Sequence, residues 1–413
     1  MKDRNENRPG YKKTEVGWIP EEWDVFKLKD LTIINPVNLA ENTPGDYCFH
    51  YIDLGSVKEG NIHFPSEKIS FGNAPLRARR IVRNGDILLS TVRPNLRNFA
   101  YVVLDTNDLI CSTGFAVIRA RDRIDGRFIY HNLYSRHSSR YFYGCVVGSG
   151  YPALNGSDIE QLSVPIPPYH EQGKIAEILS IWDEAIQQIQ KLIEAKKRRK
   201  KALMQQLLTG KRRSRNYDSD HWQIRPLHDL LEPVSRPVPK PQKPYLSIGI
   251  RSHGRGTFRK IIEQPEKVMM DTLYCIEAED IMVNITFAWE GAIAIASQRD
   301  SGGLVSHRFP TYRLREKEAD TDFIRNLILT KRFVWDLGLI SPGGAGRNRV
   351  LDQKDFLKLK VFIPSVEVQE KIGKILTAAD TELRLCEDHL NALEKQKRGL
   401  MQKLLTGEVR VNT

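Results

Sequence analysis

The sequence predicts an α+β protein in which two similar globular domains are joined by two long helices that form an antiparallel coiled coil, the whole being an internal pseudo-two-fold duplication. Three observations predict it. First, residues 162–210 recur at 359–407 without a gap, with about 19 identities in 49 positions. Leu162-Ser163-Val164-Pro165-Ile166-Pro167 returns as Leu359-Lys360-Val361-Phe362-Ile363-Pro364, and Leu-Leu-Thr-Gly closes both copies. Second, the preceding segments share landmarks: Trp23, Leu28 and Asp30 recur as Trp222, Leu227 and Asp229, and Tyr51, Gly55, Asp86, Ser112 and Arg119 as Tyr245, Gly249, Asp280, Ser306 and Arg313. Third, each recurring segment carries apolar residues at spacings of three and four, whereas the flanking segments carry short β-type runs.

Residues 1–165 read as the first domain with an N-terminal arm. Short strands are expected near 87–92 and 116–118, with helices interrupting them near 127–143. Residues 166–215 form the central long helix. Pro165, Pro167 and Pro168 prevent an earlier start, and Gly210 is a good terminator. Its seam is Ile175, Ile178, Trp182, Ile186, Ile189, Ile193, Leu203 and Leu207. Residues 216–364 form the second domain, with strands near 281–285 and 292–296 and helices near 321–337; five prolines in 233–244 read as an extended loop leading into it. Residues 365–413 hold the C-terminal long helix, whose seam is Ile372, Ile375, Ala379, Leu383, Cys386, Leu390, Leu393, Leu400 and Leu404. About 40 residues make roughly 60 Å of helix. Each stripe therefore needs an equally long partner, and the other copy is the simplest one.

Composition bounds the function. No run approaches 18 apolar residues, and Met1 to Arg8 lacks the apolar core of a secretory signal, so neither a membrane span nor export is expected. The five cysteines are odd in number and widely spaced, which suits cytoplasmic thiols rather than zinc ligands or a disulfide framework. A net charge of +12 suggests a polyanionic partner. The excess concentrates in residues 166–215, with 12 basic against 5 acidic side chains, in the runs 196–201 and 211–213. A solvated helix face explains that run as well as phosphate contact does.

Catalytic signatures are missing from the sequence: there is no phosphate-binding glycine loop, no Gly-x-Ser-x-Gly and no paired His-Cys spacing. Asn35-Pro36-Val37 lacks the second proline and the aromatic of amino-methylating enzymes and reads as a turn. Weight shifts to binding, with no metal and no cofactor expected in this chain. In the first domain Arg77, Arg79, Arg80, Arg93, Asn95, Arg97, Asn98, Tyr151 and Asn155 are side chains able to reach phosphates and base edges. In the second they are Arg251, His253, Arg255, Trp289, Arg347, Asn348 and Arg349. Two alternatives stay open on residues alone: a DNA methyltransferase or nuclease with an unrecognised site, and a coiled-coil adaptor that does not touch DNA.

Gly17-Trp18-Ile19-Pro20-Glu21-Glu22-Trp23, Ile166-Pro167-Pro168-Tyr169-His170-Glu171-Gln172 and the two Leu-Leu-Thr-Gly ends resemble the DNA-specificity (S) subunits of type I restriction-modification systems over essentially the whole chain. The resemblance implies two target-recognition domains, each reading half of a bipartite, asymmetric site in double-stranded DNA, with the helical pair setting their separation. It also implies two methylation (M) subunits and motor-nuclease (R) subunits as partners, which would carry S-adenosylmethionine, ATP and magnesium. The second copy departs at Ser365-Val366-Glu367-Val368-Gln369, which leaves the start of its helix open.

Overall fold

The computed structural model describes residues 5–58, 60–104, 108–145, 153–209, 222–343 and 349–411. The chain divides into two compact units, Met1–Gln190 with His389–Thr413, and Lys191–Asp388. Each unit therefore takes one globular segment and about half of each long helix.

In the first unit, β1 (Tyr11–Thr14) and β2 (Gly17–Pro20) form a hairpin. There follow β3 (Asp24–Lys27), α1 (Leu28–Leu31), β4 (Thr32–Ile34), β5 (Cys48–Ile52), β6 (Val57–Lys58), β7 (Asn61–Ile62), β8 (Ile69–Ser70) and β9 (Ala78–Val82). Then come β10 (Ile87–Ser90), β11 (Phe99–Tyr101), β12 (Leu109–Ser112), β13 (Phe115–Ala120), α2 (Gly126–Leu133), α3 (Arg136–Cys145), α4 (Gly156–Glu160) and β14 (Ser163–Ile166). The long helix α5 (Tyr169–Leu207) comes next. One sheet runs β11-β10-β13-β4 and another β8-β5-β12-β9, with β5 and β12 parallel. All of β10 is buried because both of its faces are covered.

The second unit repeats this plan. Its elements are β15 (Gln223–Pro226), α6 (Leu227–Leu230), β16 (Leu231–Val234), β17 (Pro237–Pro239), β18 (Tyr245–Ile250), β19 (Thr257–Ile262), β20 (Thr272–Cys275), β21 (Ile281–Val283), β22 (Ile293–Ile295), β23 (Leu304–Val305) and β24 (Thr311–Leu314). They are followed by α7 (Thr321–Leu327), α8 (Lys331–Leu339), α9 (Gln353–Lys358), β25 (Lys360–Ile363) and the long helix α10 (Val366–Leu404). The sheet β16-β24-β21-β22 matches β4-β13-β10-β11 strand for strand, and β18 again pairs in parallel with β23. The proline-rich segment 233–244 is not the loop expected from its composition. It supplies Pro233 to β16 and Pro237 and Pro239 to β17, both edge strands, where a missing N–H need not break a ladder.

Buried polar groups repeat too. Asp86 accepts from Arg119 Nε and Nη2, both at 2.7 Å, while Asp280 accepts from Arg236 Nη1 at 2.7 Å and Arg313 Nε at 3.3 Å. Both carboxylates are essentially unexposed, so the paired guanidinium groups offset their lost hydration. Gln172 Nε2 donates to Pro167 O at 3.0 Å and its Oε1 accepts from Asp125 N at 3.0 Å. Gln369 makes the same two bonds, to Pro364 O at 2.9 Å and from Asp320 N at 3.1 Å. The altered lead-in of the second copy thus keeps the side chain that ties its long helix to the cap of α7.

The seam differs from the sequence pattern at its ends. Ile175 and Leu179 enter the core of the first unit, and Ile372 and Leu376 that of the second. Ile375, expected in the seam, is 46% exposed, because the i, i+4 pair around it takes the buried face. Ile178, Trp182, Ile186, Ile189, Leu203, Leu207, Ala379, Leu383, Cys386, Leu390, Leu393 and Leu400 are half-buried, while Ile193 and Leu404 are buried. Within each unit the two helix segments are antiparallel: Lys397 pairs with Asp183 in the first, and Lys196 with Glu382 and Lys200 with Asp380 in the second. Gly210 lies outside the described residues. Its counterpart Gly407 has φ of 67°, and a Cβ there would come within 2.4 Å of Pro20 Cγ.

Candidate nucleic-acid interface

In the first unit, hydrogen bonds gather three loops. Thr113 N donates to Arg77 O at 2.8 Å, Thr91 N to Gly114 O at 2.9 Å, and Leu154 N to Thr91 O at 2.9 Å. Arg77, Arg93, Asn95 and Arg97 stand exposed on this cluster, with Asn98 half-buried beside them. Arg93 and Arg97 flank the 3-10 turn Pro94–Leu96 and both have φ of 51°. Such a left-handed geometry persists in non-glycine residues only where the surroundings hold it. Here the Tyr134 hydroxyl donates to Arg97 O at 3.3 Å and Phe99 O at 2.9 Å. Arg79 lies over the Phe71 ring at 4.8 Å.

The second unit places a 3-10 turn, Ala288–Glu290, at the same point of its scaffold, and α8 packs on it. The β18–β19 turn is bound to it: His253 N donates to Glu290 O at 2.7 Å and Ser252 Oγ to Glu290 Oε2 at 2.8 Å. His253, Trp289 and Arg349 meet here on a cleft of ≈ 1120 Å³, with the Arg349 guanidinium 5.3 Å from the Trp289 ring centre. Arg251 lies over Phe258, and Arg255 Nε donates to Ser252 O at 3.3 Å; both side chains are exposed.

Two expected contacts are taken up by the fold. Arg80 is half-buried and donates to Asn35 Oδ1 at 2.6 Å and to Phe115 O. Burial lowers its pKa, so it is an interior tie between β9, β13 and the turn at Asn35, not a groove-reaching side chain. Asn155 precedes α4 in a capping box with Asp158, the place where asparagine satisfies a helix start. Tyr151, Arg347 and Asn348 lie outside the described residues. In the basic run of α5, Lys196 and Lys200 pair with Glu382 and Asp380, and Lys197 with Glu194. Those three lysines are engaged within the second unit, while Arg198, Arg199 and Lys201 are exposed.

Several cationic and aromatic side chains at the second interface escaped the sequence reading. Arg259 and Lys260 are exposed on the edge strand β19, and Lys331, Arg332 and Trp335 on α8. A helix pattern could have found Trp335, since it falls on the face opposite Phe333 and Leu337. Among the described residues there is no His, Cys, Asp and Glu group able to hold a metal ion, and no helix long and apolar enough to cross a membrane.

The model of the type I restriction modification DNA specificity domain matches residues 20–197 and 220–395. The chain is 25% identical over 449 residues to a putative type I restriction enzyme specificity subunit, MjaX, of Methanocaldococcus jannaschii, covering 98% of this chain and 97% of the relative. The MjaVIII specificity subunit of the same organism is 22% identical, with 95% and 94% covered. The HindI specificity subunit of Haemophilus influenzae is 30% identical over 40% of this chain and 36% of its own length. Two solved structures share the fold. One chain, solved in work on complex assembly and conformational transition of the type I R-M system, has TM-score 0.58 and 20% identity, with 95% of this chain and 99% of that one covered. The type I restriction-modification S subunit from M. genitalium has TM-score 0.56 and 15% identity, with 95% and 96% covered.

Proposed function

The chain belongs to the type I restriction-modification DNA specificity family, and we propose that its two domains each read one half of a bipartite, asymmetric site in double-stranded DNA. It supplies specificity, and catalysis belongs to partner subunits. One observation carries the reading: the same scaffold presents the same loop in both units, with Arg93, Asn95 and Arg97 on one copy and Trp289 on the other. A shared frame with different loop side chains is what two independent readers need, since base edges are told apart by donor and acceptor placement. Arg77, Arg93, Asn95, Arg97 and Asn98 serve the first half-site; Arg251, His253, Arg255, Trp289 and Arg349 serve the second.

The length of α5 and α10, 39 residues each, sets the spacing between the half-sites. The helices also expose apolar side chains, Ile181 at 57% and Tyr169 at 58% in the first unit, Leu192 at 42% and Leu385 at 57% in the second. Two methylation subunits dock on these faces, supply S-adenosylmethionine chemistry on an adenine taken out of the stack, and are joined by motor-nuclease subunits that use ATP and magnesium in the cytoplasm. Exchanging residues 219–361 for the domain of another such subunit, then mapping methylated adenines, tests the reading. One half of the site should change while the other half and the spacer persist; a change in both halves would refute independent reading.

A further inference from the structure

The helix α8 buries Phe333 and Leu337 on one face and leaves Trp335 57% and Leu339 63% exposed on the other. An exposed indole and leucine on one face of a short helix need a reason, because the burial of such side chains is strongly favourable. They line the cleft described above together with Trp289. Its wall is firmly built: Gly254 has φ of +64°, and a Cβ there would come within 2.6 Å of Leu329 Cδ2. Lys331 and Arg349 are among the side chains that line it. The Arg332 guanidinium lies 5.3 Å from the Trp335 ring centre while pairing with Asp336 at 3.0 Å, Arg349 lies over Trp289, and Lys331 stands exposed. The Glu290 carboxylate is held by Ser252.

Indole faces flanked by lysine and arginine match one class of occupant, a base offered by its face with phosphates beside it. A stacked duplex presents base edges in its grooves, so the face becomes available only when a nucleotide leaves the stack. We propose that this cleft receives one nucleotide unstacked from the second half-site, its base against Trp335 and its flanking phosphate on Lys331. This deepens the DNA reading above and rests on it. The first unit lacks the feature at the matching loop position, where Asn95 stands in place of Trp289.

The full-length protein, with the partner subunits it purifies with, is tested for binding to its methylation site and to duplexes carrying a single abasic nucleotide at each position of both half-sites. The wild type should lose binding roughly tenfold at one position of the second half-site, the size expected of one stacked base. Trp335→Ala should weaken binding to intact DNA by a similar factor and lose no more at that abasic position, while Trp335→Phe keeps the wild-type profile. Losses that simply add for the variant and the abasic site at every position would overturn the cleft proposal and leave the two-domain reading intact. So would a Trp335→Ala protein that loses its partner subunits but binds intact DNA normally when they are supplied in excess, because the indole would then belong to a protein interface. If the wild-type assembly shows no sequence preference at all, both readings fall.

Discussion

Asp183 on α5 pairs with Lys397 on α10, and the duplication repeats the pair as Asp380 with Lys200. These are among the few polar identities inside the two recurring segments, and all four side chains sit beside apolar seam positions. A charge pair in an apolar seam contributes little net stability but strongly penalises any register that separates it. Lys397→Met should therefore destabilise the first unit by about 1–3 kcal/mol, and adding Asp183→Asn should recover much of that. Urea unfolding of the single and double variants measures it. Equal additive losses would mean that the pair sets no register.

Next to that pair, His131 is buried, with Nε2 3.3 Å from Ser180 Oγ and Nδ1 3.8 Å from Asp183 Oδ2. Burial, reinforced by Lys397, lowers its pKa to about 3. The folded state holds the ring neutral while the unfolded chain protonates near 6.5. Stability from this group is thus complete above about pH 6.5 and declines as pH falls toward 3, by up to ~1.4 kcal/mol per pH unit. Denaturation midpoints at pH 7.5 and 5.5 should separate for the wild type and draw together for His131→Asn. Identical pH slopes for the two proteins would exclude His131 as the source.

The Glu171 carboxylate is fully buried and receives Arg410 Nε at 2.7 Å, Arg410 Nη2 at 2.8 Å and Trp23 Nε1 at 3.1 Å. In the second copy Val368 takes the place of Glu171 and packs on that unit's core. Arg410→Ala would strand a buried charge and should cost roughly 2–4 kcal/mol. Combining it with Glu171→Val imports the apolar solution of the other copy and should restore most of the loss. A double variant no better than Arg410→Ala would show that the ion pair itself, rather than the stranded charge, is what matters.

Arg80 and Arg93 should separate cleanly. Arg80→Ala removes the guanidinium donor from Phe115 O and from Asn35 Oδ1, which keeps its bond from Val117 N at 3.0 Å, and should lower stability by about 1–3 kcal/mol with base preference unchanged. Arg93→Ala, and likewise Arg349→Ala in the second unit, should leave the unfolding midpoint alone and cost roughly 1–3 kcal/mol of DNA binding with one base position relaxed. Binding to single-base variants at two salt concentrations decides: uniform weakening that fades at high salt would reassign either arginine to phosphate.

The duplicated frame was legible in the sequence because its devices use residue types with few substitutes. Gln172 and Gln369, and Asp86 and Asp280, recur because each makes bonds that other side chains cannot, and Gly407 turns the chain after α10 with φ of 67°. Burial direction was not legible. Ile375 and Leu376 are equally apolar, and only the packing of α10 on its unit decides that Leu376 is buried. Arg77 and Arg80 are the same residue type, yet one ends in solvent and the other on Asn35 Oδ1 and Phe115 O. The prolines of β16 and β17 carry loop composition, and their strand state rests on edge positions that only long-range pairing creates.

The N-terminal arm is sewn to residues made some four hundred positions later: Asn5 Nδ2 donates to Thr406 O at 3.2 Å, Arg8 Nη1 to Glu408 O at 3.0 Å, and Tyr11 to Gly407 O at 2.5 Å. The second unit is one continuous stretch of chain, whereas the first is completed only by residues 389–413. During translation, therefore, the first unit starts before the second and is completed after it. Residues 5–190 leave the ribosome with Glu171 still lacking Arg410 and with the arm unattached, and must wait while all of 191–388 emerges and is free to fold. A chain that stops before residue 389 would carry the whole of the second unit and a first unit still lacking its last segment.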